Sequence, residues 1–380
     1  MKKLLMGTTI SIVVSSTLYA ASSQNAEIAQ LQEDVKTLKL ANQKMERESD
    51  ANAMSGFQLA GYSSFDYANE ENGEDSFSGV RFAPIFHYQY GDRFQFEGEL
   101  DITINNEGET DIELEYAAGT YFVNDYLGVQ IGKFLSPIGQ FVQNLHPSWI
   151  NKLPSTPVGF GHDGAAPTSN VGIALRGGLP KVANMRSNYV VFVSNAPTFG
   201  VAADGDVVIG AEGKTASVDG AKMWGARYAL NPIGNMEIGI SAATGDISEE
   251  LLSGDELLRD YDVLGADFVY HFNAISLRGE YIQQKVGENT LSTLEGGTWR
   301  AWYTQASYQF SSINLEPVVR YSDYHNPETN RNQWAFGLNY LFANNIIAKI
   351  AYEINTDEDD SAIGSRANNN RFLAQFAFGF

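Results

Sequence analysis

The stretch Phe94-Gln95-Phe96-Glu97-Gly98-Glu99-Leu100-Asp101-Ile102-Thr103-Ile104 decides the fold. Phe94, Phe96, Gly98, Leu100, Ile102 and Ile104 share one parity, while Gln95, Glu97, Glu99, Asp101 and Thr103 share the other. A period of two held this long is a β-strand with one face in an apolar medium and the other in water. The rhythm returns at Ile112, Leu114 and Tyr116, with Asp111, Glu113 and Glu115 between them. It returns at Ile275, Leu277, Gly279 and Tyr281, and again at Trp334, Phe336, Leu338, Tyr340 and Phe342. The last residues read Phe372, Ala374, Phe376, Phe378 and Phe380 on one parity.

Working outward from this strand, about sixteen such segments of roughly 10 residues fill residues 55–380. Their connections differ at the two ends. Tyr90-Gly91-Asp92, Val123-Asn124-Asp125, His271-Phe272-Asn273-Ala274 and Ala343-Asn344-Asn345 are tight turns. The stretches 68–77, 135–170, 195–220, 245–260, 285–298, 325–332 and 356–370 read as longer loops. Short turns at one end and long loops at the other is the arrangement of an outer-membrane barrel. A soluble sandwich also alternates, but its inner face is apolar and packed. Here the second face carries ionised residues at mid-strand, which a packed core does not hold unpaired. Tyr88, Tyr90, Phe94, Tyr126, Phe310, Tyr340 and Phe342 sit beside short turns, as a membrane-boundary girdle does. The fold expected is therefore an all-β, transmembrane antiparallel β-barrel.

Two segments precede it. Met1-Lys2-Lys3, an apolar stretch from Leu4 to Leu18, and Tyr19-Ala20-Ala21-Ser22 have the layout of a signal peptide over 1–21. Within 25–50, Ile28, Leu31, Val35, Leu38, Asn42 and Met45 alternate at spacings of three and four, the a and d positions of a heptad. A short coiled coil with Asn42 fixing its register is expected in the periplasm; a lone amphipathic helix is the alternative. So short a helix is marginal alone, so another contact must hold the copies together.

The chain's formal charge of −21 argues against nucleic acid as a partner. It has no cysteine, so neither a disulfide framework nor a thiolate metal site is available. No hydrolase elbow, zinc-protease helix or phosphate-binding loop occurs. No cofactor or metal is expected. His146 and His162 share the 135–170 loop with Ser136, Ser148, Ser155 and Asp163, but nothing in their spacing favours a hydrolase over ordinary loop polarity.

The segment Gly132-Lys133-Phe134-Leu135-Ser136-Pro137-Ile138-Gly139 resembles the G-K-x-x-x-P-x-G segment of the porin O/P, or phosphate-selective, group. The terminal Phe380, after Phe378 and Phe376, resembles the assembly signal of outer-membrane barrels. The resemblance implies a homotrimer of sixteen-stranded barrels in the bacterial outer membrane, in contact with its lipid and lipopolysaccharide. The chain departs from the group in having no Lys- and Arg-rich loop set.

By parity, Arg81, Arg176, Arg227, Arg278, Arg320 and Lys349 point into the lumen, as do Glu97, Glu99, Asp101, Asp111, Glu113 and Glu115. Such an acidic strip and scattered bases would set a field across a pore. A structural role, with each acid paired, stays open beside it. The 135–170 loop carries Phe141, Val142, Leu145, Trp149, Ile150, Leu153, Val158 and Phe160, an apolar content that wants burial. It is expected to fold into the barrel and narrow it, with Lys133, Trp149, Lys152, Phe160, His162 and Asp163 at the constriction. Lys133 sits on the lipid parity of Leu127, Val129 and Ile131, so a bulge is expected to turn it inward. The function expected is a porin passing small hydrophilic solutes and ions by diffusion. A substrate-specific anion or dicarboxylate channel, or a structural or adhesive barrel with a plugged lumen, is the alternative.

Overall fold

Residues that alternate between oil and water pair edge to edge here until the sheet meets itself. The structure, a computed structural model, describes Lys39 and residues 56–380 except 72, 74, 106, 162–163, 203–204, 217–219, 252–254 and 358–368. The signal segment 1–21, the heptad 25–50, His162 and Asp163 lie outside the described residues. Residues 1–56 and 57–380 are separate units.

In chain order the strands are β1 (Gly56–Glu70), β2 (Asp75–Tyr90), β3 (Phe94–Ile104), β4 (Thr110–Asn124), β5 (Leu127–Leu135), β6 (Ser169–Val182), β7 (Met185–Asn195), β8 (Thr198–Val201) and β9 (Val207–Gly210). They continue as β10 (Lys222–Asn231), β11 (Met236–Glu250), β12 (Glu256–Phe272), β13 (Ile275–Val286), β14 (Gly297–Tyr308), β15 (Leu315–His325), β16 (Asn330–Ala343), β17 (Ile346–Asp357) and β18 (Arg371–Gly379). β7 pairs directly with β10, so the β8–β9 hairpin stands off the wall and sixteen antiparallel strands remain in it. β1 pairs with β18 from Tyr62↔Gly379 to Glu70↔Arg371, which closes the barrel and removes both sheet edges. At this seam Gly61 exchanges backbone hydrogen bonds of 3.0 and 2.9 Å with Phe380. A Cβ on Gly61 would sit 2.4 Å from the Ala83 carbonyl, so the seam has room for glycine alone.

Burial is inverted relative to a soluble protein. The exposed large side chains include Ile112, Ile131, Trp224, Ile240, Leu264 and Phe342, while the buried ones include Glu99, Arg227, Arg278, Glu280, Arg320, Lys349 and Glu353. An apolar outside and a polar inside is the distribution of a lipid-facing barrel.

The connections depart from expectation in three places. Residues 245–260 read as a loop because of their acids, yet β11 runs to Glu250 and β12 starts at Glu256. Ile247 and Tyr261, both at 0% exposure, keep the inward parity going through that acidic stretch. The β6–β7 turn is tight although it holds no Gly or Pro; Ala183 and Asn184 take φ of 50° and 65°, and Asn tolerates this left-handed conformation. The 196–221 connection carries its own hairpin, β8–β9, which pairs in parallel with β11 through Ser248↔Thr198.

Candidate functional site

The lumen is shaped by the segment between β5 and β6. Its content is apolar, and the inner wall of β10–β16 offers a matching apolar surface. Phe141 and Phe160 meet Tyr303 edge-on at 6.0 and 5.1 Å, and meet each other at 6.0 Å. Val142, Ala165 and Ala166 join them in one cluster with Val263, Ile282, Trp299 and Tyr324. Leu153 packs with Val318, Ala335 and Ala351 in a second. The β8–β9 hairpin adds Phe199, which stacks edge-on with Trp299 at 5.7 Å and lies under the Arg259 guanidinium at 4.7 Å.

Polar side chains then tie the segment to the wall strand by strand. Ser241 on β11 accepts from the Gly139 N–H at 3.2 Å, and Glu280 on β13 accepts from the Phe141 N–H at 2.8 Å. Lys349 on β17 donates to the Ser148 carbonyl and, at 2.6 Å, to that of Asn151. Arg320 on β15 donates to the Ser155 carbonyl at 2.9 Å, the Ser155 hydroxyl at 2.7 Å and the Thr156 carbonyl at 3.0 Å. Lys152 pairs with Glu316 and donates to Ser307 at 2.9 Å. Gly139, with φ of 73°, lets the chain approach Glu280 so closely that a Cβ would fall 1.8 Å from its Oε1.

The inward-facing bases therefore divide. Arg320 and Lys349, each 1% exposed, and Arg278, 4% exposed with Nη2 3.4 Å from Asn151 Oδ1, point inward but line no open space. Arg227 is bound at 2.6 Å to Asp267 and at 3.1 Å to Glu237. Arg320 and Lys349, expected among the bases that set a field across a pore, are instead taken up by the segment, whose free carbonyls need donors. Trp149, Lys152 and Phe160 likewise face the wall. Trp149 covers Gly379, and Phe160 is 1% exposed.

The opposite wall, β2–β6, keeps its charges more open. Arg81 reaches Asp101 at 2.9 Å with 37% of its side chain exposed. His87 meets Glu97 at 2.9 Å, and Arg176 lies 3.4 Å from Gln130. Asp111 and Glu113 are exposed on the inward parity, opposite Thr103 and Asp101. The register of β3 and β4 shifts between Glu99 and Leu100, so that Tyr116 opposes Glu99 and Leu114 opposes Leu100. The bulge leaves Glu115 unpaired, within electrostatic reach of Arg81. It also turns Tyr116 off the lipid parity, where the sequence pattern put it, and onto a hydrogen bond with Glu99.

The same bulge explains Lys133, which was expected to turn inward. It stays on the outer parity with Ile131, opposite Ala117, and its ammonium donates at 2.7 Å to the Leu114 carbonyl. That carbonyl lies at the shifted register, so the lysine satisfies it from outside. The loop approaches this wall at His146, whose Nε2 stands 3.8 Å from Glu99 and whose ring lies 6.4 Å from that of Tyr62. Two cavities lie along this wall, the first of them at the approach of His146. One of about 330 Å³ is lined by Asp66, Arg81, Thr103, His146 and Ser148. The other, of about 450 Å³, is lined by Glu97, Thr120, Gln130, Arg176 and Asn188.

Sequence reasoning missed Arg259, which fell in the supposed 245–260 loop; its pairing to Glu249 at 2.9 Å is buried. It also missed Glu280, Glu316 and Glu353, although all three sit on the inward parity of their strands and were legible there.

Residues 182–340 are similar to the family described as S-layer protein SlpA, β-barrel domain. No curated protein matches the chain in sequence. Among solved structures it is similar to the anion-selective porin from Comamonas acidovorans, at 15% identity and a TM-score of 0.60, over 86% of this chain and 100% of that one. The outer membrane channel DcaP of Acinetobacter baumannii is similar at 11% identity and a TM-score of 0.55, over 86% and 98%. The trimer form of OmpT, an outer membrane protein of Vibrio cholerae, is similar at 9% and 0.52, over 86% and 99%. At these identities the likeness establishes the fold, a closed antiparallel sixteen-stranded barrel.

Proposed function

We propose that the chain is a porin of the bacterial outer membrane, a water-filled channel through which small hydrophilic solutes and ions diffuse. The observation that carries this is a closed barrel, apolar outside and polar inside, whose filling occupies the β10–β18 side and leaves exposed charges on β2–β6. A sealed structural barrel has no use for Asp111 and Glu113 exposed on its inner parity. The folding-in of 136–168 narrows the lumen at His146 and Glu99. Lys133 is left out of that constriction, on the outer wall.

The likeness of Gly132–Gly139 to the porin O/P segment, the heptad spacing over 25–50 and the trimer form of one structural relative support a homotrimer with a periplasmic coiled coil, the short turns facing the periplasm. Lipid and lipopolysaccharide then meet the outer wall and the long loops. Conductance of the purified protein in planar bilayers tests the reading. Stepwise insertion of open channels is expected; a barrel that inserts and never conducts overturns it in favour of a structural barrel. Native mass in detergent tests the trimer.

A further inference from the structure

The two walls of the lumen differ in what their charges do. On β10–β18 each base named above is spent on a carbonyl of the folded-in segment or on a buried acid. On β1–β4 the inward carboxylates are Asp66, Glu97, Asp101, Asp111, Glu113 and Glu115, besides the 1% exposed Glu99. Among the described residues, the bases that face this half from β1–β6 at depth are Arg81 and Arg176; Lys181 and Arg186 stand at the short-turn rim. The acids outnumber the bases where the lumen is open. Asp101, 7% exposed, holds Arg81 through Oδ2 and leaves Oδ1 without a partner among the described residues. A buried carboxylate oxygen in that state draws a cation or water to itself.

We propose that the channel is cation-selective, and that Asp101, Asp111, Glu113 and Glu115 on β3 and β4 set the selectivity, favouring small monovalent cations and organic ammonium solutes over anions of equal size. This rests on the porin reading above. Low-dielectric walls focus the field of fixed charges into the remaining passage, which raises the local concentration of counter-ions. Of the bases that would oppose it, Arg278, Arg320 and Lys349 are covered by the segment 147–157, and Arg227 is held by Asp267 and Glu237. The acids do not form a coordination site. No group of ligands suited to a metal ion occurs among the described residues, and the effect is that of a charged wall.

The test uses the full-length protein in planar bilayers under a KCl gradient. At 0.1 M salt the reversal potential is expected to give K⁺ preference over Cl⁻ of about threefold or more. The double variant Asp111→Asn/Glu113→Gln is expected to bring the ratio close to unity. Because the chain has no cysteine, Glu113→Cys gives a single labelling position in an already folded channel. Coupling that thiol to a cationic reagent should lower the ratio, and coupling it in a separate preparation to an anionic reagent should restore it. Chloride preference in the unmodified protein, or a ratio that neither the double variant nor the labels move, overturns the inference and leaves the porin reading standing. Absence of any conductance sinks the porin reading itself.

Discussion

The β10–β18 wall and the β2–β6 wall are built from the same alternation and end as different materials. The first is a protein core turned inside the barrel: Tyr303, Trp299 and Ile282 are at most 2% exposed, and Arg320, Lys349 and Glu353 beside them are at most 1% exposed. The second is a wetted surface, where Asp111 and Glu113 are exposed and Arg81 keeps 37% of its side chain in solvent. Charge in the filled half serves stability, because each buried ion must be answered or the fold suffers. Charge in the open half divides: water answers the exposed Asp111 and Glu113, which on the porin reading act on a passing solute, while Asp101 beside them is buried against Arg81. Identical residue types at identical parity thus do different work according to whether a loop lies on them.

The sharpest way to break this contrast is to unseat the loop. Gly139→Val puts a side chain on Glu280 Oε1 and forces a β-branched residue into a left-handed φ of 73°. Single-channel conductance should rise several-fold as the segment lifts from the wall; unchanged conductance would mean that it does not narrow the lumen. Next, Arg320→Met removes three hydrogen bonds to the loop and takes one arginine from Glu353, 0% exposed, which keeps Arg371. Removing one member of a buried pair costs about 3–5 kcal/mol, read as a lower denaturant midpoint of the detergent-folded protein.

Tyr116→Phe probes the bulge. Loss of its hydrogen bond to Glu99 should cost about 1 kcal/mol and leave the barrel folded. A change beyond the error of that measurement would show that Tyr116 also fixes the β3–β4 register. The smallest effect on stability belongs to the open wall. Arg81→Gln exchanges a 37% exposed guanidinium for an amide that still donates to Asp101, whose side chain is 9% exposed, and should cost no more than about 1 kcal/mol. Its effect should appear instead in selectivity, moved further towards cations. Raising salt to 1 M, where the Debye length is about 3 Å, should erase the difference between this variant and the parent.

Strand existence and parity were legible because a wall strand reports its two environments residue by residue. The stretch Phe94 to Ile104, bounded by its alternation alone, is β3 from end to end. Parity alone also brought Arg227, Arg278, Arg320 and Lys349 to the inside. It failed at Tyr116, where one extra residue at Glu115 shifts a register, and no local pattern announces a bulge between two well-alternating strands. At Lys133 parity held, and the inward bulge expected there is absent: the residue stays opposite Ala117 on the outer face. The apolar loop announced its own burial. The complementary signal, the inward parity of Tyr261, Val263, Ile282 and Trp299, was present but unread: a water-filled lumen would not carry it.

By itself the sequence determined a closed, lipid-facing β-barrel, since period-two alternation with acids at mid-strand satisfies burial in no other common arrangement. Only the tertiary structure decided which charges face water. That depends on where the segment 136–168 comes to rest, on carbonyls of Ser148, Asn151, Ser155 and Thr156 meeting Lys349 and Arg320 from strands about 165 to 200 positions away. Such pairings are set by the summed fit of packing and hydrogen bonds across the whole barrel. No local stretch of chain encodes them.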